Sequence, residues 1–477
     1  MILFNKAALR DKIYACWLGK NIGGTIGTPY EGKREVLDVK GFVTEPGKPL
    51  PNDDLDLQLV WLRAISEVGP ENINSKVLGE YWLDFIVPFW NEYGVGKSNL
   101  RAGIQAPMSG EYNNHDWKHS NGAWIRTEVW ACMAPGLPEN AIRFAYEDAC
   151  VDHGMGEGTY ATIFVAAVEA AAFVCDDIRK LFEIGLSKIP ETCRTSQAIR
   201  MVIDAYDSGK DWLTARNLVT EDSLKDLGWF QAPANVAYVV LGLLYGKCDF
   251  KESMLTAVNC GDDTDCTAAT VGSILGIMYG TKCVPKDWQE YIGDSIITLA
   301  LNQGSGPFAS SCTQLTDMIM EMVPVVVRRT NVAITDGADN FEEVDFESYK
   351  GADFANMLAS RSPYSISIDF IHTKAVLEYD RAPEIEPNGQ IGIKVTFYNL
   401  TVGQKHLQLR WLLPEGWKAE GKLNAATHVY TAKTTNAESV SFTITAGENV
   451  TAHNRLVLEA VCEGRATVGL IPVLLLG

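Results

Sequence analysis

Two hydrophobic periodicities divide the chain. Up to about residue 330 apolar positions recur at helical spacing, and from Ser365 onward they alternate with polar ones in short runs. Helical patterns run from Asp11 to Gly27, through Leu55, Leu59 and Leu62, from Ser75 to Trp90, and from Ala141 to Val151. Others open at Ala161, Asp176 and Thr195, span Ala234–Tyr245, and end in a nearly uncharged run from Thr264 to Tyr279. The most apolar stretch, Thr159–Val174, is too short to cross a bilayer and carries Glu169, so a buried core helix is expected. Beyond an acidic, loop-like stretch, strands are predicted at Ile366–Glu378, Gln390–Tyr398, His406–Leu413, Val440–Thr445, Leu456–Val461 and Ala466–Leu475. Turns such as Pro387-Asn388-Gly389 and Pro414-Glu415-Gly416 separate them, the signature of an antiparallel, immunoglobulin-like sandwich. The expected organisation is a helical domain over 1–330, a linker over 331–364 and an accessory all-β sandwich over 365–477.

Within the helical part, glycines fall at fours. Gly19, Gly23 and Gly27 make one small-residue stripe, and Ala268, Gly272, Gly276 and Gly280 make another. Such stripes let two backbones approach closely. Each lies beside acidic residues. Asp262, Asp263 and Asp265 crowd the start of the last apolar helix, and Asp53, Asp54 and Asp56 crowd the start of the one bearing Leu55. Either cluster alone fits an acidic helix N-terminus. Together they raise a different possibility, since four converging carboxylates repel strongly unless hard divalent cations neutralise them. Oxygen donors favour magnesium, manganese or calcium over zinc.

Other candidates are weaker taken singly. Glu31 follows the C-terminal end of a helix, where a carboxylate opposes the dipole; it is either a site carboxylate or a solvated surface residue. The glycine- and asparagine-rich stretch Asn99–Trp117 is too long for a turn and has the character of a binding loop. Ser120–Arg126 opens a helical turn whose N–H groups could meet a phosphate, with Arg126 either assisting or held in a structural ion pair. His153 stands at a helix–loop junction among glycines, placed equally well for a ligand or for an internal hydrogen bond.

Composition narrows the class. The 477 residues carry a formal net charge of −19, with 47% hydrophobic and 21% charged residues. That balance describes a globular protein and argues against nonspecific binding to nucleic acid or anionic membrane. The 11 cysteines form no C-x-x-C pair and several sit in apolar helical runs, which fits a reducing cytoplasm. The first residues lack the pattern of a secretory signal, so a cytoplasmic location is expected.

The ordered set of motifs resembles the ADP-ribosylglycohydrolase family, which includes the dinitrogenase reductase-activating glycohydrolases. Asp11–Glu31 is similar to its opening helix with terminal Glu, and Asn52-Asp53-Asp54 to its Thr/Ser-Asp-Asp motif. Ser120–Arg126 is similar to its ligand loop, Asp152-His153 to its mid-chain His motif, and Gly261–Ala269 to its Asp-Thr-Asp-Thr motif. The resemblance covers about the first 330 residues. It implies an all-helical domain binding two magnesium or manganese ions and hydrolysing the bond from the anomeric carbon of ADP-ribose to a protein side chain or small acceptor. Asp53, Asp54, Asp263 and Asp265 would be ligands, and Glu31 would position substrate or water. Asn121, Gly122, Ala123 and His153 would line the cleft. Three positions depart from the family pattern. Asn52 replaces a hydroxyl residue while keeping a hard amide oxygen, Leu55 replaces a Thr beside Asp56, and Cys266 puts a soft sulfur where oxygen is expected, which leaves one of the two metal positions in doubt. A hydrolase of another ribosyl or sugar glycoside, and a non-catalytic nucleotide-binding relic of the fold, are the alternative readings.

Overall fold

The computed structural model describes residues 1–302, 304, 306–401, 403–427, 437–466 and 468–477. The chain forms two compact units, one of Met1–Lys97 with Asn113–Ser360, the other of Ser98–Tyr112 with Arg361–Gly477.

The first unit is helical around a long buried pair. One partner, Lys6–Gly27, starts five residues before the expected Asp11 because the Asn5 side chain caps it, accepting from Ala8 N at 2.9 Å. The other is Thr264–Tyr279. Their small-residue stripes face each other: a Cβ on Gly19 would overlap the Gly272 carbonyl, one on Gly23 the Ala268 carbonyl, and one on Gly27 the backbone of Thr264 and Asp265. Backbone therefore lies on backbone along the seam, and the starts of both acidic segments are drawn together. Gly23→Ala is expected to cost about 1–3 kcal/mol, because the helices must part to admit the methyl group. The urea midpoint should fall with the slope unchanged; an unmoved midpoint would contradict this packing.

Around the pair stand Asp53–Val68, Pro138–His153, Glu157–Ala172 and Ala232–Tyr245, the last two buried on nearly every face. The core includes Trp17, Trp61, Trp124, Trp130 and Tyr238. Strand β1 (Ile2–Asn5) pairs in parallel with β2 (Val332–Thr335). The stretch 331–364, read from sequence as a linker, thus carries a paired strand and a helix, Asp353–Ser360. Among the described residues, no helix is long and apolar enough to cross a membrane.

The second unit is a sandwich of two antiparallel sheets. Strands β3 (Ser365–Asp369), β4 (Thr373–Tyr379), β5 (Gln390–Asn399), β6 (Lys405–Leu412), β7 (Lys418–Gly421), β8 (Asn424–Thr427), β9 (Ala437–Thr445), β10 (His453–Cys462) and β11 (Val468–Leu476) follow in order. One sheet is ordered β3-β4-β5-β9-β7, the other β11-β10-β6-β8. The alternation between Ile366 and Glu378 hides a hairpin, where Phe370 N donates to Thr373 O at 2.7 Å and splits one expected strand into two. Thr467, within the expected Ala466–Leu475 strand, lies outside the described residues. Inward positions such as Leu377, Val395, Phe442, Leu458 and Ile471 fill the core, and Ile104 and Met108 join them. The Asn99–Trp117 stretch is therefore largely a piece of the sandwich rather than a free loop.

Candidate active site

Both acidic clusters come together at the Gly27 end of the helix seam. Asn52 caps Asp53–Val68, its side-chain oxygen accepting from Asp54 N at 2.8 Å, so the first turn presents Asp53 and Asp54. Asp263 precedes Thr264–Tyr279 without using its carboxylate as a cap, and Asp265 lies in that helix's first turn. The segment after Glu31 is clamped to the second cluster, with Gly32 N donating to Asp262 O at 2.9 Å and Asp262 N to Lys33 O at 2.8 Å.

Two donor sets result. Glu31, Asp263 and Asp265 offer carboxylate oxygens within 4.8 Å of one another, as do Asp54, Asp265 and Cys266 with their oxygens and sulfur. Asp265 belongs to both. Asp263, Asp265 and Asp54 are buried, and Asp263 Oδ1, Asp265 Oδ1 and Asp54 Oδ2 lack hydrogen-bond partners, although Lys20 Nζ faces the last at 3.5 Å. Buried, unpartnered carboxylate oxygens converging on one spot are what a divalent cation requires, so the residues present fit the metal the family implies. The sulfur is the one mismatched donor. Burial first, then Asp263 and Asp54, push the Cys266 thiol well up, and Sγ donates to Asp54 Oδ1 at 3.4 Å.

The neighbours divide into those serving the clusters and those diverted from them. Tyr93 Oη donates to Asp53 Oδ2 at 2.9 Å. Asn121 Nδ2 donates to Asp263 Oδ2 at 2.6 Å while its own oxygen accepts from Trp124 Nε1 at 3.0 Å, which fixes which end of the amide meets the carboxylate. Asp56 turns away; its Oδ2 accepts from the backbone of Leu299 at 2.6 Å and of Ala300. It does not stand in for the position that Leu55 occupies. Asp262 is likewise committed, accepting from Phe230 N and from Asn235 Nδ2 at 2.9 Å.

A cleft of about 300 Å3 opens over the clusters, and Asn121 and Gly122 line it. Ala123 and His153 are fully buried and outside that lining. His153 Nε2 lies 3.1 Å from Ser120 Oγ and Nδ1 lies 3.0 Å from Asp152, so the ring backs the loop from behind. Arg126 is also internal, paired with Asp148 and Asp152 and donating to the Gly122 carbonyl. It braces the loop and does not face a ligand. Sequence reasoning missed Lys20, Glu92, Tyr93 and Asn235. Lys20 alone left a trace, as a charge inside an apolar helical run.

The electrostatics follow from crowding. Partial burial, then Asp263 and Asp53, raise Glu31 from its ordinary 4.5 to about 7. Burial and neighbouring carboxylates also raise Asp53, Asp54 and Asp265. The folded, metal-free protein therefore keeps protons that the unfolded chain releases. The stability these groups contribute is complete below the ordinary carboxylate range and is lost as pH rises through their raised values, about 7 for Glu31. We expect the melting temperature of metal-free protein to fall from pH 4.5 to pH 7.5 and divalent cations to flatten that fall; a metal-free melting temperature that rises over this window would contradict the crowding.

A sequence profile described as ADP-ribosylglycohydrolase matches residues 5–318, which spans every residue of both donor sets. The chain belongs to the ADP-ribosylglycohydrolase family. Membership supports glycohydrolase chemistry on ADP-ribosyl linkages in general, and the family generally uses divalent metals. An uncharacterized protein of Archaeoglobus fulgidus is 24% identical over 305 residues, covering 60% of this chain and 93% of that protein. The ADP-ribosylarginine hydrolase Tri1 of Serratia proteamaculans is 48% identical over 40 residues, 8% of this chain and 11% of that protein. A solved ADP-ribosylglycohydrolase-related protein complex matches with a TM-score of 0.43 at 19% identity, over 68% of this chain and 99% of that one. In this member of the ADP-ribosylglycohydrolase family, Cys266 belongs to one donor set and Lys20 lies 3.5 Å from Asp54.

Proposed function

We propose that this chain is a metal-dependent glycohydrolase that cleaves the bond between an anomeric carbon and its acceptor, as an ADP-ribosylglycohydrolase does. The observation that carries this reading is the convergence of buried carboxylate oxygens without partners on two donor sets sharing Asp265. Glu31, Asp263 and Asp265 would hold one magnesium or manganese ion. Asp54, Asp265 and Cys266 would hold a second, with Asp53 beside them. When bound, such ions polarise water and sugar hydroxyls and stabilise developing charge.

The protein's own groups supply orientation and proton traffic. Asn121 holds the Asp263 carboxylate in one orientation, and Tyr93 does the same for Asp53. Glu31 sits at the cleft edge, where the carboxylate oxygen not turned to the ion can take a proton from an attacking water; a bound cation would draw the carboxyl down from the value of about 7 that crowding gives it in the metal-free site. The water oxygen bonds to the anomeric carbon as the carbon–acceptor bond breaks, Glu31 takes the water's proton, and the departing atom gains one from solvent. A reading with another ribosyl or sugar glycoside as substrate is favoured by the cleft lining treated below.

Calorimetric titration of metal-stripped protein with magnesium, then manganese, tests the proposal. Uptake of divalent cation followed by metal-dependent hydrolysis of a glycoside is expected. A protein that takes up neither ion has no such activity.

A further inference from the structure

The cleft walls carry carboxylates and aromatic rings but no cation. Among the described residues lining it are the acids Glu31, Asp53, Glu92, Asp263 and Asp265, and there is no Lys, Arg or His. A diphosphate is ordinarily met by Arg or Lys, or by backbone N–H groups at a helix start; at the Ser120–Arg126 turn the second kind would share its place with the Glu92 carboxylate packed on Gly122. Arg126, behind the loop, is consumed internally by two aspartates, and Arg34 lies over the Trp229 ring outside the lining. Metal loading cancels the negative charge but leaves no positive surplus for a diphosphate. Two divalent ions bring four positive charges against the five carboxylates of Glu31, Asp53, Asp54, Asp263 and Asp265, and Lys20 brings the sum only to zero.

Glu92 lines the cleft beside the Ser120–Arg126 turn. Its carboxylate is packed against Gly122 so closely that a Cβ there would overlap Oε1. The residue is 7% exposed, Oε2 is buried, and Ser120 and His153 partly offset the burial of the carboxylate. Burial pushes its carboxyl up to about 7. A carboxylate that lines the cleft accepts from a ligand hydroxyl and repels a phosphate. Two aromatic walls flank it on unusual backbone. Trp90 precedes Asn91, which has φ 38°, and Phe230 itself has φ 61°, a conformation that a bulky residue adopts only under constraint. Trp90 stacks over Tyr93 and remains 43% exposed, so its face is open to a ring.

We propose that the site recognises a neutral, hydroxyl-bearing glycoside, with Glu92 accepting from a ligand hydroxyl and Trp90 and Phe230 covering its apolar faces, and that it discriminates against ligands bearing a diphosphate. This rests on the glycohydrolase reading above and narrows its substrate class.

The test uses full-length protein, first titrated with magnesium and manganese and then, loaded, with adenosine, p-nitrophenyl glycosides and ADP-ribose. At least one neutral glycoside is expected to bind about tenfold or more tightly than ADP-ribose. Glu92→Gln should weaken that neutral ligand about tenfold and strengthen ADP-ribose, closing the gap. Trp90→Ala, at a position 43% exposed, should weaken the neutral ligand about tenfold and serves if the Glu92 variant fails to fold. Tighter binding of ADP-ribose than of every neutral glycoside, or no binding of any neutral glycoside, overturns the proposal while metal uptake leaves the glycohydrolase reading standing. Absence of metal uptake overturns both.

Discussion

Asp265→Asn is expected to weaken divalent-cation binding at least about 100-fold, more than the loss typical of residues that merely support a ligand. The reason is position. Asp265 is the one residue belonging to both donor sets, so its charge is lost from two places at once. The same substitution should raise the melting temperature of the metal-free protein, since burial, Asp263 and Glu31 already hold that carboxyl well above its ordinary range. Stability gained together with affinity lost separates a ligand from a structural acid, for which both would fall. Calorimetry and thermal melts of the metal-stripped variant read the two effects. Undiminished affinity would remove Asp265 from the site.

Lys20→Met should cost about 3–5 kcal/mol, the usual penalty for stranding a buried charge, or roughly 10 °C in melting temperature for a unit of this size. Lys20 has no exposed surface. Its Nζ donates to Glu128 Oε1 at 2.6 Å and faces Asp54 Oδ2 at 3.5 Å. Burial alone would strip its proton; the carboxylates of Glu128 and Asp54 outweigh that and hold it charged. Glu128 is further tied to Gln58 Nε2 at 2.8 Å, and Gln58 in turn accepts from Val129 N at 2.7 Å. Removing the ammonium strands two carboxylates in this network. Adding Glu128→Met to the variant should recover part of the loss, because the pair costs more broken than absent. A single variant within 1 kcal/mol of the parent, on the order of ordinary surface changes, would mean the ammonium does not hold this network.

What the sequence disclosed was whatever depends on spacing along one helix. The glycine fours at Gly19, Gly23 and Gly27 and at Gly272 and Gly276 located the seam because backbone contact leaves no room for alternatives. The adjacent acids marked both helix starts for the same local reason. Pairings between distant residues left no such mark. Lys20 and Glu128 are 108 positions apart, and Asn121 and Asp263 are 142 apart. Nor does a run of acids say which of them is diverted. Asp56 and Asp262 have the same neighbours in sequence as the site residues, yet each is spent on backbone N–H groups that only the folded chain brings near. His153 shows the converse: a motif match at a plausible junction whose side chain faces Ser120 and the interior.

Ile104 and Met108 sit in the sandwich core although more than 250 residues separate them from β3. The polypeptide thus visits the β unit early, leaves it, and returns only for its last quarter, from Arg361 onward. Gene-level dissection has to respect that itinerary. A stop codon after Ser360 removes every strand of the sandwich yet leaves Ser98–Tyr112 behind, with two large apolar side chains stripped of their cover. Such a fragment would be prone to self-association, so its failure in an assay would say nothing about whether the helical unit needs the β unit for its chemistry.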